Sequence, residues 1–133
     1  MLYSRIILGI IGALYGFFGV WAMWRPGDIT AMTEVALTTP TAVTDGRAVY
    51  GGLTLGLGVV FLLAALKVID VRAGVLVLFL TLFFPVAGRV IGIPVDSGGT
   101  EATFKMMQGE VLFLLLSAAA LYLEWRRAEG ARA

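Results

Sequence analysis

The sequence predicts an all-α polytopic membrane protein built as a bundle of four transmembrane helices. Of its 133 residues, 59% are hydrophobic, and the mean hydropathy of +0.93 lies above the range of ordinary soluble domains. The apolar residues are concentrated in four runs, each near the roughly 20 residues that cross a bilayer. A chain of this length holds one such bundle, so we predict a single domain over residues 1–133.

The first predicted helix covers residues 6–24, between Arg5 and Arg25. Its apolar part is longer than the core of a usual signal peptide, and no small-x-small cleavage site follows it. We therefore predict a retained transmembrane helix, with Trp21 and Trp24 at the membrane interface.

The other three helices are predicted over residues 47–66, 73–93 and 104–123. A short charged connection joins the second helix to the third, and a charged tail follows the fourth. Small residues recur four apart, which predicts close packing of the helices within the bundle. The glycine pairs of this pattern are Gly12 with Gly16, Gly52 with Gly56, and Gly88 with Gly92.

The longest connection, residues 25–46, predicts a structured outer loop between helices 1 and 2. Asp28 is placed to cap a short helix that Pro40 would end. One face of this helix would present Ile29, Met32 and Ala36, which suits a segment that lies on the membrane surface or plugs the mouth of the bundle. A disordered, threonine-rich loop is the alternative.

Basic residues are more numerous on the side of the two termini than on the side of the long loop. Six lie on the first side (Arg5, Lys67, Arg72, Arg126, Arg127 and Arg132) and four on the second. Because loops rich in basic residues remain in the cytoplasm, we predict that both termini are cytoplasmic.

Composition also excludes several kinds of chemistry. The formal net charge is only +1, which argues against a nucleic-acid partner. The chain has no cysteine and no histidine, which removes disulfides, thiol redox chemistry, zinc sites of the Cys/His kind and histidine-ligated haem. We therefore predict no metal and no cofactor.

Arg89 is the most informative polar residue, because it lies four residues before the predicted end of an apolar helix at Ile93. At 1.5 Å per residue it would be roughly 6 Å inside the membrane. It shares a stripe with Thr81 and Pro85, and this stripe indicates a helix–helix face more than a lipid face. The alternative is an arginine that faces lipid and extends to the headgroups.

An inward guanidinium needs a counter-ion, and Glu110 lies at a similar depth one to two turns into the fourth helix. Arg47 and Tyr50 begin the second helix at the same level. We predict a charge network or ligand site made of Arg47, Tyr50, Arg89 and Glu110. The predicted supporting positions are Asp45, Thr54, Asp96, Glu101 and Gln108.

This network has two interpretations, which do not exclude each other. Two arginines beside one glutamate leave a surplus of positive charge, which would suit an anionic headgroup or carboxylate. Alternatively, an Arg47–Glu110–Arg89 network serves only to lock the helices together.

The chain resembles a bacterial domain-of-unknown-function family of small four-helix membrane proteins that are loosely similar to the DoxX-like group. The resemblance lies in Arg47, Tyr50, Gly51 and Gly52 at the start of the second helix, in Gly88 and Arg89 late in the third, and in Glu110 early in the fourth. It implies a four-helix bundle in the bacterial inner membrane. It also implies an accessory role in a membrane oxidoreductase assembly, by analogy of fold alone.

These observations predict a non-enzymatic membrane protein, with no catalytic residues, whose outward-facing pocket binds an anionic amphiphile such as a lipid or a quinone-like molecule. The alternative to a bound amphiphile is a partner subunit, in a larger membrane complex or a homo-oligomer. Two further hypotheses are a lipid- or isoprenoid-modifying enzyme that uses Glu110 as acid or base, and a small transporter subunit.

Overall fold

The computed structural model describes residues 2–130, and over that range the regular structure consists of helices, without strands. Five helices follow one another: α1 (Leu2–Trp24), α2 (Pro26–Met32), α3 (Pro40–Ala65), α4 (Val71–Val95) and α5 (Glu101–Gly130). All but the short α2 are long and apolar enough to cross a membrane. The prediction of an all-α bundle of four transmembrane helices is confirmed.

Two of these helices extend well beyond the predicted bounds. α3 begins at Pro40 rather than at residue 47, because the side chain of Thr39 accepts a hydrogen bond from the Ala42 amide and proline suits the first helical position. α5 continues to Gly130 rather than ending at 123. Its charged last turns contain good helix formers, so the helix outlasts its apolar stretch.

The outer loop contains a short helix, as predicted, but its details differ. α2 begins at Pro26, so Asp28 lies in its first turn and does not cap it. α2 ends at Met32, which leaves Ala36 outside the helix, and Pro40 begins α3 rather than ending α2. The reason is the same at both prolines: a fixed φ and a missing N–H favour the first turn of a helix.

α1 and α3 approach each other closely through glycines. A Cβ on Gly19 would lie 2.6 Å from the Leu55 amide nitrogen, and a Cβ on Gly58 would lie 2.7 Å from the Gly16 amide nitrogen. The predicted pair Gly52 and Gly56 instead faces open space, as does Gly88. Gly51 is packed closely, whereas its neighbour Gly52 is not. Adjacent residues on a helix are about 100° apart, and the sequence pattern did not show which of the two glycines faces α1.

The hydrophobic core lies at one end of the bundle. Its buried side chains come from the first half of α1, the end of α3, the first half of α4 and the second half of α5: Ile7, Leu8, Ile11, Phe61, Ala64, Ala65, Val75, Leu78, Leu82 and Ala120. We call this the terminal end, because it holds Leu2 and Gly130, and the opposite end, with α2, the loop end. α1 packs mainly on α3, and α4 mainly on α5. Beyond the core, toward the loop end, a space remains between the α1–α3 pair and the α4–α5 pair.

Candidate functional site

The space between the helix pairs forms a pocket of about 490 Å³ at the loop end. Four helices contribute its walls: Leu14, Tyr15 and Phe18 from α1; Ile29, Met32 and Thr33 at α2; Leu82 and Arg89 from α4; Met106, Gly109, Glu110 and Phe113 from α5. Most of these side chains are apolar, and only Arg89 and Glu110 are charged. The pocket therefore suits a molecule that is largely apolar and carries one polar group.

Arg89 and Glu110 form a bidentate ion pair in the wall of this pocket. Arg89 Nε donates to Glu110 Oε2 and Arg89 Nη2 donates to Glu110 Oε1, both at 2.8 Å. The side chains are 28% and 24% exposed. Such paired, parallel hydrogen bonds are geometrically specific and join α4 to α5 at a fixed register.

The ion pair leaves part of the guanidinium available to a ligand. An arginine has five N–H donors, and the two bonds to Glu110 come from Nε and Nη2. Within residues 2–130, Nη1 has no hydrogen-bond partner. An oxygen atom of a ligand in the pocket could accept a hydrogen bond from Arg89 Nη1 without breaking the ion pair with Glu110.

Arg47 does not join this pair, contrary to the predicted network. Its Nη1 donates to the carbonyl oxygens of Met23 and, at 3.3 Å, of Trp24. These carbonyls end α1 and have no partner within that helix, so a guanidinium there satisfies them and complements the helix dipole. The pocket consequently holds one arginine and one glutamate, and the expected surplus of positive charge is absent.

The remaining predicted residues lie around the site without entering the ion pair. Tyr50 is half-buried in a π-helical turn of α3, Arg47–Leu53, and Thr54 follows that turn. Asp45 and Asp96 are exposed, and Glu101 binds Lys105 Nζ at 2.6 Å. Gln108 is exposed and lines an outer groove of α5 together with Met107.

Sequence reasoning missed how α2 is held over the pocket. Asp28 binds Arg25 Nε at 3.0 Å and accepts a hydrogen bond from Trp21 Nε1 at 3.1 Å. Both partners precede α2 closely in the chain. The seven-residue spacing of Trp21 and Asp28 offered a pattern for this contact, but Asp28 was assigned to capping instead.

A second polar contact was also missed, at the terminal end. Ser4 Oγ donates to Glu124 Oε1 at 2.6 Å, and both residues are buried. Arg5 Nε donates to the Ala65 carbonyl at 2.7 Å nearby. The terminal end therefore contains a buried polar contact within its apolar core. Ser117, Ala120 and Glu124 recur at spacings of three and four, a pattern that could have placed Glu124 on the inner face of α5.

The chain from residue 2 to residue 130 contains no cluster of three histidine, cysteine, aspartate or glutamate side chains able to hold a metal ion. The polar side chains that line the pocket are those of Arg89, Glu110, Tyr15 and Thr33.

Comparison with known proteins gives a family but no closer relative. No curated protein and no solved structure matches the chain. The family described as a domain of unknown function, DUF4345, matches residues 3–121. This range includes α1 from its second residue, all of α2 to α4, and the part of α5 that carries Glu110. The chain therefore belongs to the DUF4345 family.

Proposed function

We propose that this protein is a non-enzymatic integral membrane protein that binds an amphiphile in the pocket at the loop end. The apolar part of the ligand would lie against Leu14, Phe18 and Phe113, and an oxygen of its head would accept from Arg89. The observation that carries this proposal is a bidentate ion pair in the wall of an otherwise apolar pocket. A few placed polar groups in an apolar cavity are typical of ligand sites.

The ion pair also bears on the kind of head group. Glu110 neutralises Arg89, and the Arg47 guanidinium binds a carbonyl at the end of α1 instead of entering the pocket. The pocket therefore has no excess positive charge to attract a strongly anionic head. Its geometry favours a head with acceptor oxygens and little or no net charge, such as the carbonyl of a quinone-like molecule or of a lipid ester.

Glu110 serves in this proposal as the group that orients Arg89. Both of its carboxylate oxygens accept hydrogen bonds from the guanidinium, which favours positioning over proton transfer to a substrate. The packed core closes the terminal end of the bundle, which favours a binding pocket over a conduction path.

We further propose that the protein resides in the bacterial inner membrane with both termini in the cytoplasm. Support comes from the charge distribution: the terminal end carries the larger number of basic residues. An accessory role in a membrane complex of the DoxX-like kind is compatible with this placement. In that case the pocket would receive its ligand from, or hand it to, a partner subunit.

Native mass spectrometry of the protein released from its own membrane in mild detergent tests the binding proposal. Gly109 lines the pocket, and a Cβ there would meet no atom within 4 Å. Gly109→Leu should fill the pocket while leaving the ion pair and the fold in place. Gly56→Leu is the matched control, because Gly56 also faces open space but lies outside the pocket.

The expected result is a retained small-molecule mass in the wild type and in Gly56→Leu, lost in Gly109→Leu and in Arg89→Leu. Fragmentation of the complex would identify the molecule. A bare monomer from native membranes, or a mass that persists in Gly109→Leu, would contradict the proposal and assign the ion pair to helix packing alone.

A further inference from the structure

A second cavity lies at the terminal end, remote from the Arg89 pocket. Its volume is about 210 Å³, and it opens between the start of α4 and the second half of α5. Its walls are Arg72, Ala73 and Leu76 on one side and Leu121, Glu124 and Trp125 on the other. We call this cavity the terminal groove.

The terminal groove combines an apolar floor with a cation at its rim. Leu76 is 44% exposed and Trp125 is 65% exposed, so both present apolar surface to the surroundings. Arg72 is exposed on the first turn of α4. In the described chain no carboxylate lies within ion-pair distance of Arg72. Its charge is therefore available to a ligand.

Two carboxylates of this region, Glu124 in the groove wall and Asp70 two residues before Arg72, make contacts with other groups. Glu124 is buried and accepts a hydrogen bond from Ser4 on the side of α1. Asp70 Oδ1 accepts from the Ala73 amide as the cap of α4. Neither contact involves the Arg72 guanidinium, so the outer rim of the groove carries a positive charge.

The charge of the whole terminal end agrees with that of the rim. Among the described residues this end carries five basic side chains (Arg5, Lys67, Arg72, Arg126 and Arg127) against three acidic ones (Asp70, Glu124 and Glu129). Basic pockets between transmembrane helices bind the head groups of anionic lipids, and tryptophan prefers the level of the head groups.

We propose that the terminal groove binds an anionic phospholipid. The phosphate would contact Arg72, the glycerol region would lie beside the Trp125 indole, and an acyl chain would follow Leu76 and Leu121 into the bilayer. The cavity is smaller than the sites that enclose whole ligands, about 300–1,000 Å³, which suits a lipid held by its head group with its chains outside. This site is independent of the amphiphile pocket.

Lipid titration of the full-length protein, followed by native mass spectrometry, tests this proposal. Phosphatidylglycerol or phosphatidylcholine is added to the purified, delipidated protein in neutral detergent, and lipid adducts are counted. We expect the wild type to retain phosphatidylglycerol in preference to phosphatidylcholine. Arg72→Gln should lower the affinity for phosphatidylglycerol by about fivefold and leave that for phosphatidylcholine unchanged.

Arg126→Gln is the matched control. Arg126 is at the same end, but its guanidinium lies over the Tyr122 ring, 5.9 Å from the centroid, and outside the groove. It should retain the preference for phosphatidylglycerol, as should Arg72→Lys, which keeps the charge. An equal loss of affinity for phosphatidylglycerol in Arg126→Gln would overturn the proposal and indicate diffuse electrostatic attraction. No preference for phosphatidylglycerol in the wild type would overturn it and indicate no attraction to anionic lipid.

Discussion

The hydroxyl of Ser4 and the carboxylate of Glu124 are 2.6 Å apart although 120 residues separate them in the chain. The bond joins the first turn of α1 to the last part of α5 inside the packed end of the bundle. Both side chains are buried, and the contact brings the two ends of the described chain together.

We expect Ser4→Ala to destabilise the protein by about 1–2 kcal/mol, because a buried carboxylate loses a hydrogen-bond donor. Unfolding by SDS in mixed micelles, followed by circular dichroism, measures the change. Thr38→Ala removes a hydroxyl from an exposed loop position and is the control. Equal stability of Ser4→Ala and the wild type would show that the contact is energetically neutral.

Close packing of α1 on α3 predicts a clear difference between two glycine substitutions. Gly19→Ala places a Cβ within 2.8 Å of Leu55 and should destabilise the bundle by about 1–3 kcal/mol. Gly56→Ala meets open space and should be neutral or stabilising by up to about 1 kcal/mol, because alanine favours helix. The same unfolding assay compares them, and similar stabilities for both variants would refute this account of the interface.

The ion pair predicts non-additive effects in a double-mutant cycle. Arg89→Leu or Glu110→Leu alone leaves the other charge without its partner near lipid, whereas the double variant leaves neither. We expect a coupling free energy of about 1–2 kcal/mol, moderated because each side chain is about a quarter exposed. Strictly additive losses would mean that the pair contributes nothing to stability.

The contacts of Asp28 predict that this residue controls the mobility of α2. Asp28→Ala removes the bonds to Trp21 and Arg25 and should speed amide exchange over residues 26–33 by roughly fivefold to tenfold. The global stability should change little. Hydrogen–deuterium exchange with mass spectrometry measures this rate.

Asp45→Ala is the control for the exchange experiment, because Asp45 is an exposed carboxylate on α3. It should leave exchange over residues 26–33 unchanged. If Asp28→Ala also left that exchange unchanged, the packing of Ile29 and Met32 in the pocket wall would be sufficient to hold α2.

Much of the fold could be predicted because its causes are local. The length of each apolar run predicts a membrane span, whatever the rest of the chain does. Bounds were predicted less well at Pro40 and beyond residue 123, because helix formation there depends on capping and on charged helix formers rather than on hydropathy.

The candidate site was predicted in part. Arg89 and Glu110 stood out because a charge inside an apolar run needs a partner at the same depth. Arg47 was predicted to join them, but its guanidinium binds the carbonyls at the end of α1. Such carbonyls lack partners within their helix and are not visible as charges in the sequence. Glu124 was overlooked because it was counted with a charged tail.

The sequence by itself determined the number of membrane-spanning helices, their approximate positions and the two charges that had to be paired within the membrane. The tertiary structure decided which side of each helix faces its neighbours: that Gly51 rather than Gly52 contacts α1, that Arg47 binds the last carbonyls of α1 instead of entering the pocket, and that α2 covers the loop end. The physical reason is that the hydropathy of a segment depends on its own residues and determines where a helix crosses the membrane. The rotation of the helix about its own axis depends instead on how it packs against all its neighbours at once.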